Sequence, residues 1–208
     1  IYDASLTSGL PEAFAVASGL NAIAHAIDGF WAPRVDPINT ALATESLRTL
    51  VPGLRALHAG HDDFESREQL LYGAYLAAVA FASAGSGMHH KICHVLGGRF
   101  GLPHAEMHSI VLRYVTAFNV PFAPDAARRI SEAFDGVSAE AALFAFGTEL
   151  DAPKSLAEFG FRQQDIAEAA RLAFEAVPPS NPRPVTQHDL GNILRLAWSG
   201  EYVSKGQL

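Results

Sequence analysis

Cysteine is almost absent from this 208-residue chain, with Cys93 as its one representative. An internal disulfide is therefore excluded, and we expect a reducing, cytoplasmic location. Basic charge is also scarce, since 15 Lys and Arg stand against 22 Asp and Glu and give a formal net charge of −7. A nucleic-acid-binding protein would carry a basic patch or stripe, so the charge disfavours that class.

Long apolar runs are missing as well. The longest covers residues 70–83 and is interrupted by Tyr72, Gly73 and Tyr75. A membrane-spanning helix needs roughly 20 apolar residues, so this run predicts a buried helix and no membrane partner. The first four residues lack the basic and apolar regions of a signal peptide, and the missing initial Met suggests a fragment of a longer protein.

Two further patterns are absent. Neither common glycine-rich phosphate loop occurs, so a dinucleotide would be held mainly by something outside this chain. Alternating runs of β-branched residues are also nearly absent, whereas helix signals are frequent. Residues 1–208 therefore predict one all-α domain of roughly eight to ten helices.

Capping residues and prolines mark the expected helix boundaries. One helix is expected to run from Pro11 to Phe30, and the Pro-dense segment 177–184 is expected to be a stiff loop between two helices. Further helix starts are predicted at Asp36 with Pro37, Ser66 with Gln69, Ser155 with Glu158, and Thr186, with weaker candidates at Asp125 and Ser138.

Histidine is concentrated in one part of the chain. Five of the nine histidines lie between Met88 and His108. If residues 88–96 are helical, His90 and His94 share one face, and Gly97 with Gly98 ends the helix. The following loop can then bring His104 back beside them. Converging imidazoles are typical of both metal sites and proton-transfer sites, and the pattern leaves both open.

A second polar pair at helical spacing lies upstream, where Asn21 and His25 stand four residues apart. Small apolar neighbours on both sides of His25 predict that its ring points into a buried cleft. The segment Gly85–Ser86–Gly87 precedes the histidines. It predicts either close approach by a ligand or another backbone, or a simple helix break before residue 88.

These residues resemble a known family. His90, His94-Val95-Leu96-Gly97-Gly98 and Pro103-His104 are similar to the His-xxx-His-x-Leu-Gly and Pro-His pattern of the iron-containing alcohol dehydrogenases. Similarity to the maleylacetate reductase branch extends over three longer segments: residues 89–98, Pro103-His104-Ala105-Glu106 and Asn181-Pro182-Arg183-Pro184-Val185. The resemblance runs from about Tyr2 to Trp198.

The resemblance implies a fold and a set of site positions. It implies the helical C-terminal domain of the dehydroquinate synthase-like fold, without the α/β nucleotide-binding domain. It places metal ligands at Asn21, His25, His90 and His104, and it places His94 beside the nicotinamide. Where the family has an Asp, this chain has the neutral Asn21, which is a weaker ligand for iron or zinc. We therefore expect these positions to form the active site, and to act as ligands of iron or zinc only if a metal is bound.

The resemblance also implies a reaction, the reduction of maleylacetate to 3-oxoadipate by NADH or NADPH in aromatic-compound degradation. His25, His90, His94 and His104 are then the expected catalytic residues, and Asn21 is expected near the substrate. Because the substrate is a small dicarboxylate, Lys91 and Arg183 are candidate anchors, and Arg34 and Arg99 are expected to be surface cations. We expect a homodimer that is inactive without the nucleotide-binding half.

Two other interpretations stay open at this point. A metal-dependent alcohol dehydrogenase of the same family would reduce an aldehyde or ketone, and Asn21 and Lys91 argue against it. A helical metal-binding domain without catalysis would need no nucleotide motif. A purely structural protein would leave the histidines unexplained.

Overall fold

The structure, a computed structural model, describes residues 2–203 and 208. Within them the chain forms nine α-helices and four short 3₁₀ helices and has no strand, which confirms the all-α prediction. The α-helices are α1 (Glu12–Gly29), α2 (Pro37–His58), α3 (Phe64–Ala84), α4 (Met88–Phe100), α5 (His104–Asn119), α6 (Pro124–Ala133), α7 (Ala139–Glu149), α8 (Ile166–Ala176) and α9 (Gln187–Ser199). The 3₁₀ helices are Ala4–Thr7, Val120–Phe122, Leu156–Phe159 and Gln163–Asp165.

Capping explains several helix starts that the sequence predicted. Asp36 accepts hydrogen bonds from the backbone N–H groups of Ile38 and Asn39, each at 2.8 Å, and Pro37 occupies the first position of α2. Thr186 caps α9 in the same way through the N–H of Asp189. Each cap satisfies backbone donors that a helix leaves unpaired at its start.

The predicted start of α3 at Ser66 is wrong by three residues. Asp63 is the N-cap, and its carboxylate accepts from the Ser66 N–H at 2.8 Å, while the Ser66 hydroxyl accepts from the Asp63 N–H at 3.1 Å. The physical reason is that a carboxylate is the stronger partner for the positive end of a helix. Ser66 is therefore the third helical residue of α3, where it completes the capping box, and not the N-cap.

The predicted end of α4 is also wrong. Gly97 and Gly98 stay inside the helix, which continues to Phe100. Gly101 then adopts a left-handed conformation (φ 70°) and donates its N–H to the Gly97 carbonyl at 3.1 Å. The two internal glycines destabilise the helix by about 1 kcal/mol each, and burial of Leu96 on the same turn offsets part of that cost.

Three further boundary predictions have mixed outcomes. Ser155 precedes only a short 3₁₀ helix, and its hydroxyl donates to the Glu158 carboxylate at 3.0 Å. Asp125 is not a cap, because α6 begins at Pro124 and Asp125 falls in its first turn. Ser138 does occupy the N-cap position of α7, although its side chain makes no capping hydrogen bond.

Helix α5 lies at the centre of the molecule, and every residue from Met107 to Asn119 is buried. It packs against α1, α4, α7 and α9. One apolar cluster joins α1, α2, α3, α6 and α7, and Leu112 of α5 belongs to it. Val111 and Val115 of α5 belong to a second cluster with α4, α8 and α9. The amphipathic neighbours thus bury both sides of α5.

A sharp bend separates α3 from α4. The two helices meet at 97° across residues 85–87, where Gly85 has φ 88°. In the described part of the chain, no helix alone is long and apolar enough to cross a membrane, and only this bent pair passes such a test jointly. The bend turns the first residues of α4 toward α1.

The Pro-dense segment connects α8 to α9, as predicted. It is fastened to the end of α5 by a pair of buried amides. Asn119 donates to the Asn181 side-chain oxygen at 3.1 Å, and Asn181 donates back to the Asn119 side-chain oxygen at 2.8 Å. Both amides are thereby paired, which fixes the segment against α5.

Candidate active site at the histidine cluster

Six histidines from three helices meet around His90 of α4. The ring of His25 on α1 stacks on that of His90, with centroids 4.8 Å apart and planes 15° from parallel. The His89 ring centroid lies 4.8 Å from that of His90, and those of His108 and His94 lie 4.9 and 6.2 Å away. The tertiary structure therefore joins the histidines of α1 and α4, which the sequence alone only placed on separate helices.

The first turn of α5 completes the group. Pro103 precedes the helix, and the rings of His104 and His108 face each other at 4.2 Å. The predicted return of His104 to the cluster is thus made through His108, four residues later on the same helix face. His104 and His94 are exposed, whereas His90 and His108 are buried. The cluster therefore has an outer edge open to solvent and an inner part closed to it.

Burial keeps most of these imidazoles neutral. It lowers the pKa of His25 to about 4, with added repulsion from a charged His90. It lowers the pKa of His89 to about 3 and that of His108 still further. Partial burial and then repulsion from charged His90 lower the pKa of His94 as well. Neutral imidazoles offer one N–H donor and one bare nitrogen each, so their tautomers decide what the site can bind.

Asp28 is a site residue that the sequence prediction missed, as it also missed His89 and His108. Its side chain is completely buried, and its oxygens accept from Trp31 Nε1 at 3.0 Å, from the Gly87 N–H at 2.8 Å and from His90 Nδ1 at 2.9 Å. Burial alone would raise its pKa, but the hydrogen bond from His90 and the electrostatic interaction with that ring outweigh burial and lower the pKa. The signal was its position three residues after His25, because an acidic residue on a buried helix face needs a partner.

Gly87 has its explanation in the same carboxylate. The helix break before residue 88 is real, and a close approach also occurs there. A Cβ on Gly87 would lie 2.5 Å from Asp28 Oδ1, so only glycine fits beside the buried carboxylate. The interpretation of the Gly85–Gly87 segment as a helix break is therefore correct, and the close approach comes from the Asp28 side chain instead of a ligand or another backbone.

Several buried polar atoms in this region lack a hydrogen-bond partner among the described residues. They are Asn21 Oδ1, His90 Nε2 and both ring nitrogens of His108. Thr116 Oγ1 is also buried without a partner but lies outside the cluster, about 18 Å from His104 along α5. An unpartnered buried polar atom is costly, so such atoms concentrate where a water, an ion or a substrate binds. The predicted position Asn21 and the predicted position His90 are both among them.

The metal ligands that the resemblance implied do not form a compact set. In the part of the chain that the structure describes, three side chains with possible ligand atoms come close together: His89, His90 and His108. These atoms lie within 4.8 Å of one another, and the structure brings together no other group of three or more His, Cys, Asp or Glu residues in this way among the described residues. His25 and His104 are not in it, and Asn21 supplies a neutral amide. As the side chains stand, the implied set does not fit a dication, which such sites usually hold with an anionic ligand.

The two predicted anchors have different positions. Lys91 follows His90 on α4, and its charge is close enough to contribute to the lowered pKa of His94. Arg183 instead lies over the ring of Phe118, 4.0 Å from its centroid, at the far end of α5. His104 at the start of α5 is about 21 Å away along the helix axis, so the structure does not support Arg183 as an anchor beside the histidines.

Arg34 and Arg99 agree with their interpretation as surface cations. Arg34 is exposed and donates to the Ser83 carbonyl at 3.1 Å. Arg99 forms an exposed ion pair with Glu168 at 2.9 Å. In the described structure, neither side chain makes a hydrogen bond or an ion pair with a histidine of the cluster.

Comparison with known proteins decides the family. Residues 15–198 match the model of the Fe-containing alcohol dehydrogenase family, C-terminal. The chain belongs to this family. It is 41% identical over 201 residues to a maleylacetate reductase from Pseudomonas sp. (strain P51), covering 97% of this chain and 57% of that protein. The predicted resemblance to this family and to its maleylacetate reductases is confirmed.

Solved structures of the family share the helical fold. An iron-containing alcohol dehydrogenase from Corynebacterium glutamicum superposes with a TM-score of 0.94 at 52% identity, covering 97% of this chain and 56% of the other. A maleylacetate reductase from Agrobacterium tumefaciens gives a TM-score of 0.91 at 38% identity, covering 98% and 57%. The chain thus spans a little more than half the length of the relatives it matches.

Proposed function

We propose that this chain is the helical, active-site half of a maleylacetate reductase that forms 3-oxoadipate with NADH or NADPH. The observation that carries the proposal is Asn21, a neutral amide with an unpartnered oxygen at the position where an anionic metal ligand would be needed. The similarity to maleylacetate reductases over 97% of the chain supports it. Histidines and not a metal then perform the chemistry.

The histidines supply what this reduction requires. NADH or NADPH, bound mainly by the nucleotide-binding half, provides the hydride. Negative charge develops on the keto oxygen of the enone, and an N–H donor there stabilises it. His25 and His94 have lowered pKa values and so offer neutral N–H groups. The proton for the adjacent carbon enters from solvent at the exposed edge, through His104.

Lys91 is the proposed anchor for one substrate carboxylate. It lies beside the cluster and is only partly buried, so its ammonium group can reach a bound anion. Replacement Lys91→Met keeps the length of the stem and removes the charge. We expect KM for maleylacetate to rise by roughly 10-fold or more with a smaller change in kcat, as for the loss of one charge-assisted hydrogen bond.

The test is NADH oxidation by maleylacetate with the chain joined to its nucleotide-binding half, measured with and without a chelator. Activity that survives the chelator supports the proposal. His104→Gln should reduce kcat strongly, whereas His188→Gln, the same change at an exposed histidine outside the cluster, should not. Activity that vanishes with the chelator and returns with iron or zinc contradicts a metal-free reductase.

An alcohol dehydrogenase is the second candidate, favoured by the 52% identity to the Corynebacterium glutamicum protein. It predicts that Asn21→Asp, which restores the anionic ligand, increases metal content and metal-dependent aldehyde reduction. On the reductase proposal the same change leaves metal content low and reduces activity with maleylacetate. A non-catalytic metal-binding domain predicts neither activity.

A further inference from the structure

We infer that Asp28 is a positioning residue that fixes the tautomer of neutral His90, so that the neutral ring presents a bare Nε2, and no N–H, to the active site. The tautomer follows from the hydrogen bonds of the buried carboxylate and does not depend on the reaction. Its consequence for catalysis rests on the proposed function and deepens it, because it determines which histidines can donate to the substrate.

The carboxylate of Asp28 is surrounded by groups that can only donate. Trp31 Nε1 carries a hydrogen in every state of the indole, and so does the backbone nitrogen of Gly87. The first lies 3.0 Å from Oδ1 and the second 2.8 Å from Oδ2. A proton on either oxygen would face one of these N–H groups. Asp28 is therefore an acceptor on both oxygens.

His90 has to donate to this acceptor. Its Nδ1 lies 2.9 Å from Asp28 Oδ2, and two acceptors at that distance without a shared proton would repel each other. The hydrogen of neutral His90 is thus on Nδ1, which leaves the lone pair on Nε2. That atom is buried and has no partner among the described residues. The ring of His108, whose two nitrogens also lack a partner, lies beside it, with ring centroids 4.9 Å apart.

The same argument fixes the tautomer of His89, the residue before His90. Its Nε2 lies 3.1 Å from the carbonyl oxygen of His108, which can only accept, so Nε2 carries the hydrogen and Nδ1 is bare. Two adjacent imidazoles are thereby fixed by partners that cannot change roles. The N–H donors for the developing charge on the substrate must come from His25, His94 or His104, and His90 can only accept.

Asp28 also fixes where His90 is. The carboxylate joins α1 to the first turn of α4 through Gly87, and its Oδ2 is 3.4 Å from the His90 backbone nitrogen. Loss of the charge would release both the ring and the helix start. A fixed imidazole with the wrong tautomer lowers kcat by orders of magnitude in enzymes that depend on it, with less effect on substrate binding.

The test reads the tautomer directly. Two-bond ¹⁵N–¹H spectra of the chain labelled in its histidine side chains distinguish Nδ1–H from Nε2–H, and His90 is assigned by its loss in His90→Gln. We expect Nδ1–H at neutral pH. In Asp28→Asn the amide removes the obligatory acceptor, and we expect a mixture or the Nε2–H form. Trp31→Phe, which removes the side-chain donor to Asp28 Oδ1 and keeps the carboxylate, is the matched control and should keep Nδ1–H.

The kinetic arm uses the chain joined to its nucleotide-binding half. Asp28→Asn should lower kcat with maleylacetate by about 100-fold or more with little change in KM, and Trp31→Phe should not. An Nε2–H resonance that is assigned to His90 in the unmodified protein at neutral pH overturns the inference without any variant. So does Nδ1–H that persists in Asp28→Asn. If the histidine spectra are as expected but the joined protein does not oxidise NADH with maleylacetate, the proposed function is refuted. The assignment of the His90 tautomer then still stands.

Discussion

Acid should destabilise this protein well before its carboxylates are protonated. The cause is the set of buried histidines with lowered pKa values, about 4 for His25 and about 3 for His89, with His108 lower still. In the unfolded chain each of these rings has an ordinary pKa of about 6.5. As the pH falls through that value, the unfolded state takes up protons that the folded state refuses, so stability falls with pH.

The magnitude follows from the linkage relation. Between about pH 7.5 and about pH 5, a histidine that protonates only when unfolded removes about 2 kcal/mol of unfolding free energy. The rings of His25, His89 and His108 together give about 6 kcal/mol as an upper value. A typical domain has about 5–15 kcal/mol in total, so the chain should be close to unfolding at the lower pH. Carboxylates contribute little in this window because they titrate below it.

The assay is urea unfolding, followed by circular dichroism, at several pH values across this window. His89→Gln keeps a donor for the His108 carbonyl and removes one titrating ring, so the loss should shrink by about 2 kcal/mol. His188→Gln, at an exposed position, should leave it unchanged. A total loss below about 1 kcal/mol would refute the assignment of these rings as neutral and buried.

Two further predictions concern packing. Gly87→Ala places a Cβ 2.5 Å from the buried carboxylate and should cost at least about 2 kcal/mol in urea unfolding, whereas Gly98→Ala, with no atom within 4 Å, should be neutral or stabilising by up to about 1 kcal/mol. Equal effects at the two glycines would contradict the close contact. Asn181→Ala leaves the Asn119 amide without its side-chain partner and should cost about 1–3 kcal/mol, with faster hydrogen exchange in the Pro-dense segment. Unchanged exchange there would show that the amide pair does not hold the segment.

The helix pattern was largely predictable because its signals are local. Asp36 with Pro37 and Thr186 with Asp189 cap helices through atoms two or three residues away, so sequence spacing suffices. The errors at Ser66 and at Gly97 arose where two local signals competed. Asp63 was a better cap than Ser66, and Gly101 was a better terminator than Gly97.

The sequence by itself determined the all-helical class, the family, and the concentration of imidazoles between residues 88 and 108. Composition and short-range spacing carry that information. Only the tertiary structure decided that Asp28 holds His90, that His108 and His89 are buried with them, and that Arg183 lies elsewhere. The contact between Asp28 and His90, for example, joins residues 62 positions apart through the packing of α1 against α4. Because the direction of a hydrogen bond depends on such distant partners, no local pattern could assign the tautomers.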